Sequence, residues 1–263
     1  MTDTHSSHHT LMDGVMVKLV DGLVHRLMDE VMNWEIHRYT FGLTTGVMLG
    51  LLVLAGTVQA KNYTFESAED YLTEAHNFSS WAETLTQHQQ ERNQLLACSA
   101  PLDHCRGRTR SFNRMLSRAR DLTRDEKISL VNIYINRTKY DADHPQRIYD
   151  EQGNRIGVSR SRWSSLLEFL TSKGDCEDYA TAKYFMFREL GFTAENMRVL
   201  VVYEKKLRGY HAVLALKQPD GDVWLLDSDN VIRKKRHSNY RFVYAMNEHH
   251  VWDHREDFAG PKN

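Results

Sequence analysis

The chain has 263 residues, enough for one domain of ordinary size with extensions. Its 34 lysines and arginines balance 35 aspartates and glutamates to a net charge of −1, so it carries no electrostatic footprint for a nucleic-acid partner. Three cysteines are too few for a scaffold built on disulfides, and whatever they do is local.

Residues 1–39 read as an N-terminal extension. Leu11-Met-Asp-Gly-Val-Met, Leu19-Val-Asp-Gly-Leu-Val and Leu27-Met-Asp-Glu-Val-Met repeat every eight residues, a spacing that does not fit the helical period and is too short for a solenoid. Residues 40–60 carry no charge, follow Arg38, precede Lys61 and end in Val58-Gln-Ala, which resembles a cleavage site. The run predicts a secretory signal peptide or an uncleaved membrane anchor. A buried core helix is the alternative, disfavoured because the run has no amphipathic period. Met32 would open a signal peptide of ordinary length, leaving residues 1–31 as an upstream extension; a cytoplasmic amphipathic helix is the other reading. One folded domain is expected over residues 61–263.

Residues 79–97 are polar and compatible with a helix. Cys98 and Cys105 bracket a short loop-like run that would suit a disulfide, and with His104 they make only a weak zinc signal. The arginine-rich stretch 106–124 predicts a solvated helix face. Thr123 and Glu126 form a capping box, and Ile128, Val131, Tyr134 and Ile135 give the next helix its apolar stripe. Residues 138–162, punctuated by Pro145 and Gly153, look less regular, and 163–170 lead into the most informative stretch.

That stretch is Gly174-Asp-Cys-Glu-Asp-Tyr-Ala180. Asp175 suits a helix N-cap, Asp178 three residues on can answer it, and Gly191 suits the stop. Cys176 then lies in the first turn, where free N–H groups and the helix dipole favour a thiolate. A lone cysteine is more often a buried structural residue, so the assignment needs a partner.

After Gly191 the pattern alternates. Residues 197–203, 210–217, 222–228 and 240–246 predict strands, the middle pair joined by a turn at Pro219-Asp-Gly. Helices followed by a meander of strands predict an α+β fold with the cysteine helix on one sheet face. His211 alternates in phase with Val213 and Ala215, and hairpin arithmetic sets it opposite a position between about 227 and 230. Asp227 and Asp229 both lie there, on one face. A cysteine at a helix start, a histidine on a strand and an aspartate on the next strand are nucleophile, base and orienter for thiol acyl transfer.

From these residues the chain resembles the bacterial transglutaminase-like cysteine peptidases of the LapG type. The resemblance covers about residues 124–253 and rests on Glu126-Lys127, Asn132, Asn136, Trp163, the segment around Cys176, Ala182-Lys-Tyr, His211-Ala-Val-Leu, Leu226-Asp227 and Tyr244-Ala-Met-Asn. Ala212 and Ser228 depart from the usual Met and Asn of that pattern and bear on substrate preference. The resemblance implies a papain-like or transglutaminase-like fold and a triad of Cys176, His211 and Asp227. It implies a calcium-dependent endopeptidase of the periplasm that clips the N-terminal region of a large surface adhesin at a small-residue site, often two alanines, and so controls biofilm attachment. It also implies an inner-membrane receptor for cyclic di-GMP that sequesters the protease.

Asp175, Glu177 and Asp178 crowd negative charge around Cys176, which opposes the thiolate unless a cation offsets them; oxygen ligands suit calcium. By charge pattern alone, three solvated acids at a helix N-terminus is the plainer reading, and the resemblance is what points to calcium, with carbonyls from the loop before Met197 completing the shell. The backbone N–H of Cys176 is the candidate oxyanion donor, and Trp163 either shapes the site or belongs to the core. Transglutaminase or amidase chemistry shares the same triad and differs in the acyl acceptor.

Overall fold

The computed structural model describes residues 62–65, 71–97, 107–143, 147–150, 152–158, 162–234 and 239–255. The extension 1–39, the uncharged run 40–60 and the segment holding Cys98, His104 and Cys105 lie outside these residues.

Among the described residues, five α-helices precede the main run of strands: α1 (Ser79–Leu96), α2 (Gly107–Ala119), α3 (Arg124–Ile135), α4 (Leu166–Thr171) and α5 (Cys176–Glu189). The strands are β1 (Tyr71–Glu74), β2 (Arg147–Tyr149), β3 (Arg155–Val158), β4 (Met197–Glu204), β5 (Gly209–Lys217), β6 (Val223–Leu226), β7 (Ile232–Arg233), β8 (Tyr240–Met246) and β9 (His250–Asp253). Seven of them form one antiparallel sheet in the order β1-β9-β8-β4-β5-β6-β7, while β2 and β3 pair separately.

Local chemistry explains the helix ends. The Thr123–Glu126 capping box opens α3 as expected. Gly191, at φ 85°, stops α5: its N–H reaches the Arg188 carbonyl at 3.1 Å and the Phe192 N–H reaches Phe187 at 3.0 Å, the paired bonds of a Schellman motif. In α2, Arg110, Arg114 and Arg118 are exposed while Phe112, Met115 and Ala119 face inward, which is the solvated arginine face expected.

Helix α5 is buried along nearly its whole length, because β4 and β5 cover one side of it and α3 and α4 the other. The two faces of the sheet follow the period of two. Val199, Val201, Ala212, Leu214 and Leu216 point to the helices, whereas Leu200, Val202, Val213 and Ala215 pack with Tyr63, Phe242 and Trp252 on the far side. Trp81 anchors the helical side, stacking on Phe185 at 5.7 Å and donating from Nε1 to the Asn247 carbonyl at 2.7 Å. Trp163 meets Trp81 edge-on and is a core residue.

His88 on α1 lies flat against Phe185, with ring centroids 3.8 Å apart, and its Nδ1 is buried without a hydrogen-bond partner. Burial first, then the Arg92 charge, lowers its pKa from 6.5 to about 4. Between those values the unfolded chain binds a proton that the folded protein refuses, so stability falls as pH drops from 6.5 towards 4. That lowering sets an upper bound on the order of 3 kcal/mol. Urea melts at pH 7 and pH 4.5 should show wild type losing more stability than His88→Gln; equal losses would refute the assignment.

Candidate active site

Cys176 is the first residue of α5, preceded by its N-cap Asp175. Its sulfur receives the backbone N–H of Ala212, the residue next to His211, and its thiol donates to Glu177 Oε2 at 3.2 Å. This contact is available because β5 is open on one edge there. β4 pairs with β5 along its length to Glu204↔Gly209, but β6 pairs only as far as Leu214↔Leu226. Burial, then the charges of Glu177 and Asp175, push the thiol well above its ordinary pKa.

The same open edge receives the aspartate. Continuing the Leu214↔Leu226 register three residues along each strand would set Asp229 opposite His211. The chain leaves the ladder first. Asp227 turns back so that Oδ1 meets His211 Nε2 at 2.6 Å, while Asp229 pairs with Arg233 at 2.6 Å. Asp227 is 4% exposed and fully partnered: Oδ1 also accepts from the Ser228 N–H at 2.6 Å, and Oδ2 accepts from the Tyr240 hydroxyl at 2.6 Å and faces Arg233 at 3.3 Å. Burial alone would raise its pKa, but the bond and charge of His211, with Tyr240 and Arg233, outweigh that and hold it far below the usual carboxylate range. An ionised carboxylate only accepts, so Nε2 of His211 carries the proton and Nδ1 is left as the basic nitrogen.

The acidic residues do not group as the sequence suggested. Carboxylate oxygens of Asp143, Asp175 and Glu177 lie within 4.8 Å of one another. Asp178 is not among them: its Oδ1 accepts from the Ser164 N–H at 2.7 Å and its Oδ2 from the Asp175 N–H at 3.2 Å, and burial raises its pKa to about 7. Of the expected set Asp175, Glu177 and Asp178, the cluster holds Asp175 and Glu177 with Asp143 beside them, while Asp178 is turned to the Ser164 and Asp175 N–H groups. The loop before Met197 follows the C-terminal end of α5, roughly 20 Å from the acids for a helix of this length, so it does not face them.

Asp143 was missed because only a faint signal marks it, an Asp-Ala-Asp run ahead of Pro145. Asp175 Oδ2 accepts from the Asp143 N–H at 3.0 Å, and its Oδ1 is buried with no hydrogen-bond partner. A buried, orphaned carboxylate oxygen among three carboxylates fits a hard cation such as calcium.

Gly174 permits this arrangement. A Cβ at this position would lie 2.4 Å from Asp178 Oδ2 and 2.6 Å from Asp178 Cβ, the latter held by the helix backbone. Gly174→Ala should therefore cost about 1–3 kcal/mol of stability, measured by thermal or urea unfolding; an unchanged midpoint would contradict the close approach.

The fold is similar to that of LapG from Legionella pneumophila. The calcium-bound form shares 26% identity and a TM-score of 0.49 over 62% of this chain and 86% of that one. The EGTA-treated form gives 26% and 0.49 over 62% and 84%. No curated protein matches the sequence. The model of one family, described as bacterial transglutaminase-like cysteine proteinase, matches residues 94–257, and the chain belongs to that family of cysteine peptidases.

Proposed function

We infer that the protein is a calcium-dependent cysteine endopeptidase of the periplasm in which Cys176 is the nucleophile, His211 the base and Asp227 its orienter. The observation that carries the reading is convergence on one stretch of β5. The Ala212 N–H meets the Cys176 sulfur, and the adjacent His211 has Nε2 fixed on Asp227 at 2.6 Å with Nδ1 left over. His211 Nδ1 takes the thiol proton and Sγ attacks the scissile carbonyl, with the Cys176 N–H as the proposed oxyanion donor. The imidazolium, stabilised by ionised Asp227, then protonates the leaving amine. Water, deprotonated by the same nitrogen, opens the thioester. Asp143, Asp175 and Glu177 are the residues that would hold calcium. The ion would supply positive charge that lowers the cost of the neighbouring thiolate.

The substrate that fits this family is the N-terminal region of a large surface adhesin, cut at a small-residue site to release the adhesin and end biofilm attachment. An inner-membrane cyclic di-GMP receptor would restrain the enzyme. Ala212 and Ser228 bear on which small residues are accepted; here the Ser228 N–H and Oγ both bond to Asp227 Oδ1.

The test is incubation of the protein with N-terminal adhesin fragments carrying a two-alanine site, read by gel and mass spectrometry. Two products with a new carboxyl and a new amine support the peptidase, cross-linked or deamidated products support transglutaminase or amidase chemistry instead, and no reaction refutes both. Export places the mature N-terminus near Lys61, and a cell-purified protein beginning at Met1 in the cytoplasm would refute it.

A further inference from the structure

The turn after β6 raises a question that the pairing of His211 with Asp227 leaves open. Strand register favours Asp229 as the partner, and both residues are aspartates. The chain leaves the ladder after Leu226, where β6 turns back into β7, and the shape of that turn decides which aspartate faces His211. We propose that Lys183 and Asn136 are positioning residues that capture the backbone carbonyl of Asp227 from two helices and so select Asp227 over Asp229 as the partner of His211. This rests on the reading of His211 as the base.

The carbonyl of Asp227 is held twice. Lys183 Nζ, on α5, donates to it at 2.8 Å, and Asn136 Nδ2, at the end of α3, donates at 3.0 Å. One α3 turn earlier, Asn132 Nδ2 donates to the Asn230 carbonyl at 3.1 Å, and Asn132 Oδ1 accepts from Asn136 Nδ2 at 3.4 Å. Asn230 has φ 63°, a left-handed conformation that asparagine tolerates and that reverses the chain. These bonds hold the two carbonyls against the helices where the chain turns from β6 into β7. The turn then presents the Asp227 carboxylate to His211 and leaves Asp229 to Arg233.

Lys183 is the unusual member. Its side chain is fully buried, and burial lowers its pKa to about 7 against the opposing pull of Asp227 and Asp229. A buried ammonium is costly, and an apolar residue of similar volume commonly stabilises such a site. A lysine kept there for packing alone would be a poor solution, whereas a donor long enough to reach the Asp227 carbonyl is what the turn needs. Lys183 also lies seven residues after Cys176, two turns along the same helix face. The helix that presents the nucleophile therefore also holds the orienter of the base.

Lys183→Met should keep or raise the melting temperature while lowering kcat for the adhesin fragment by about 10–100-fold with KM little changed. Because Lys183 acts through Asp227, adding Lys183→Met to Asp227→Asn should cause no further loss. The decisive readout needs no substrate. In ¹⁵N-histidine spectra, wild type and Asp229→Asn should show His211 fixed as the Nε2–H tautomer, and Lys183→Met and Asn136→Ala should lose that fixed state.

Retention of both the tautomer and kcat in Lys183→Met would overturn the proposal while leaving the triad intact. Should Lys183→Met fail to fold, Asn136→Ala decides by the same spectrum. Should wild type cleave nothing, the functional reading falls and the spectra still decide whether the clamp sets the His211–Asp227 pair.

Discussion

Replacing Cys176 with alanine is expected to lower kcat by about four orders of magnitude or more, with the fold retained. The proposed acyl-enzyme route has no substitute for this sulfur, which lies beside the Ala212 N–H on the strand that carries the imidazole. The structural cost should be small, below about 1 kcal/mol for one half-buried residue. The capping interaction from Asp178, the Schellman stop and the aromatic core all hold α5 without it. Single-turnover cleavage of the adhesin fragment with a thermal melt checks both halves. A Cys176→Ala protein that cuts at the wild-type rate would remove the nucleophile assignment and the mechanism with it.

Calcium removal should have an effect of comparable size. Without a cation, burial and the Glu177 and Asp175 charges hold the Cys176 thiol well above its ordinary range, so the thiolate is scarce at neutral pH. Positive charge among Asp143, Asp175 and Glu177 acts in the opposite direction and lowers that pKa. Excess EGTA should therefore abolish cleavage and added calcium restore it.

Calorimetry on the Cys176→Ala protein separates binding from activity. Asp175→Asn should weaken calcium at least about 10–100-fold, and Asp143→Asn should weaken it too. Asp178→Asn should act mainly on stability, because its oxygens serve the Ser164 and Asp175 N–H groups. Full activity in excess chelator, or calcium affinity indifferent to Asp175→Asn, would dispose of the metal site.

The features legible in the sequence are those decided within a few residues of chain. The Thr123–Glu126 box, the Asp175–Asp178 pair at the head of α5 and the Gly191 stop each depend on atoms three or four residues apart, and the structure has each of them. The strands β4, β5 and β8 were readable because they run seven to nine residues, and the four-residue β6 because the Pro219-Asp-Gly turn marks its start. By contrast, β1, β7, β9 and the β2–β3 hairpin are two to four residues long, too short to show a period. The edge pair β1–β9 also joins Tyr71 to Trp252 across most of the described chain.

The site divides in the same way. The sequence by itself determined that a cysteine would start a helix packed on one sheet face, that a histidine would stand on a strand of that sheet, and that an aspartate near 227–230 would lie opposite that histidine. Strand arithmetic left Asp227 and Asp229 open and the resemblance favoured Asp227; the tertiary structure sets Asp227 on His211 and Asp229 on Arg233, contacts that no local rule specifies. It likewise put Asp143 among the acids and took Asp178 away to Ser164. The physical reason is common to both. Caps and alternation are set by covalent geometry and neighbouring side chains, whereas the ligand set of a carboxylate or carbonyl is set by whichever donors the packed core brings within about 3 Å.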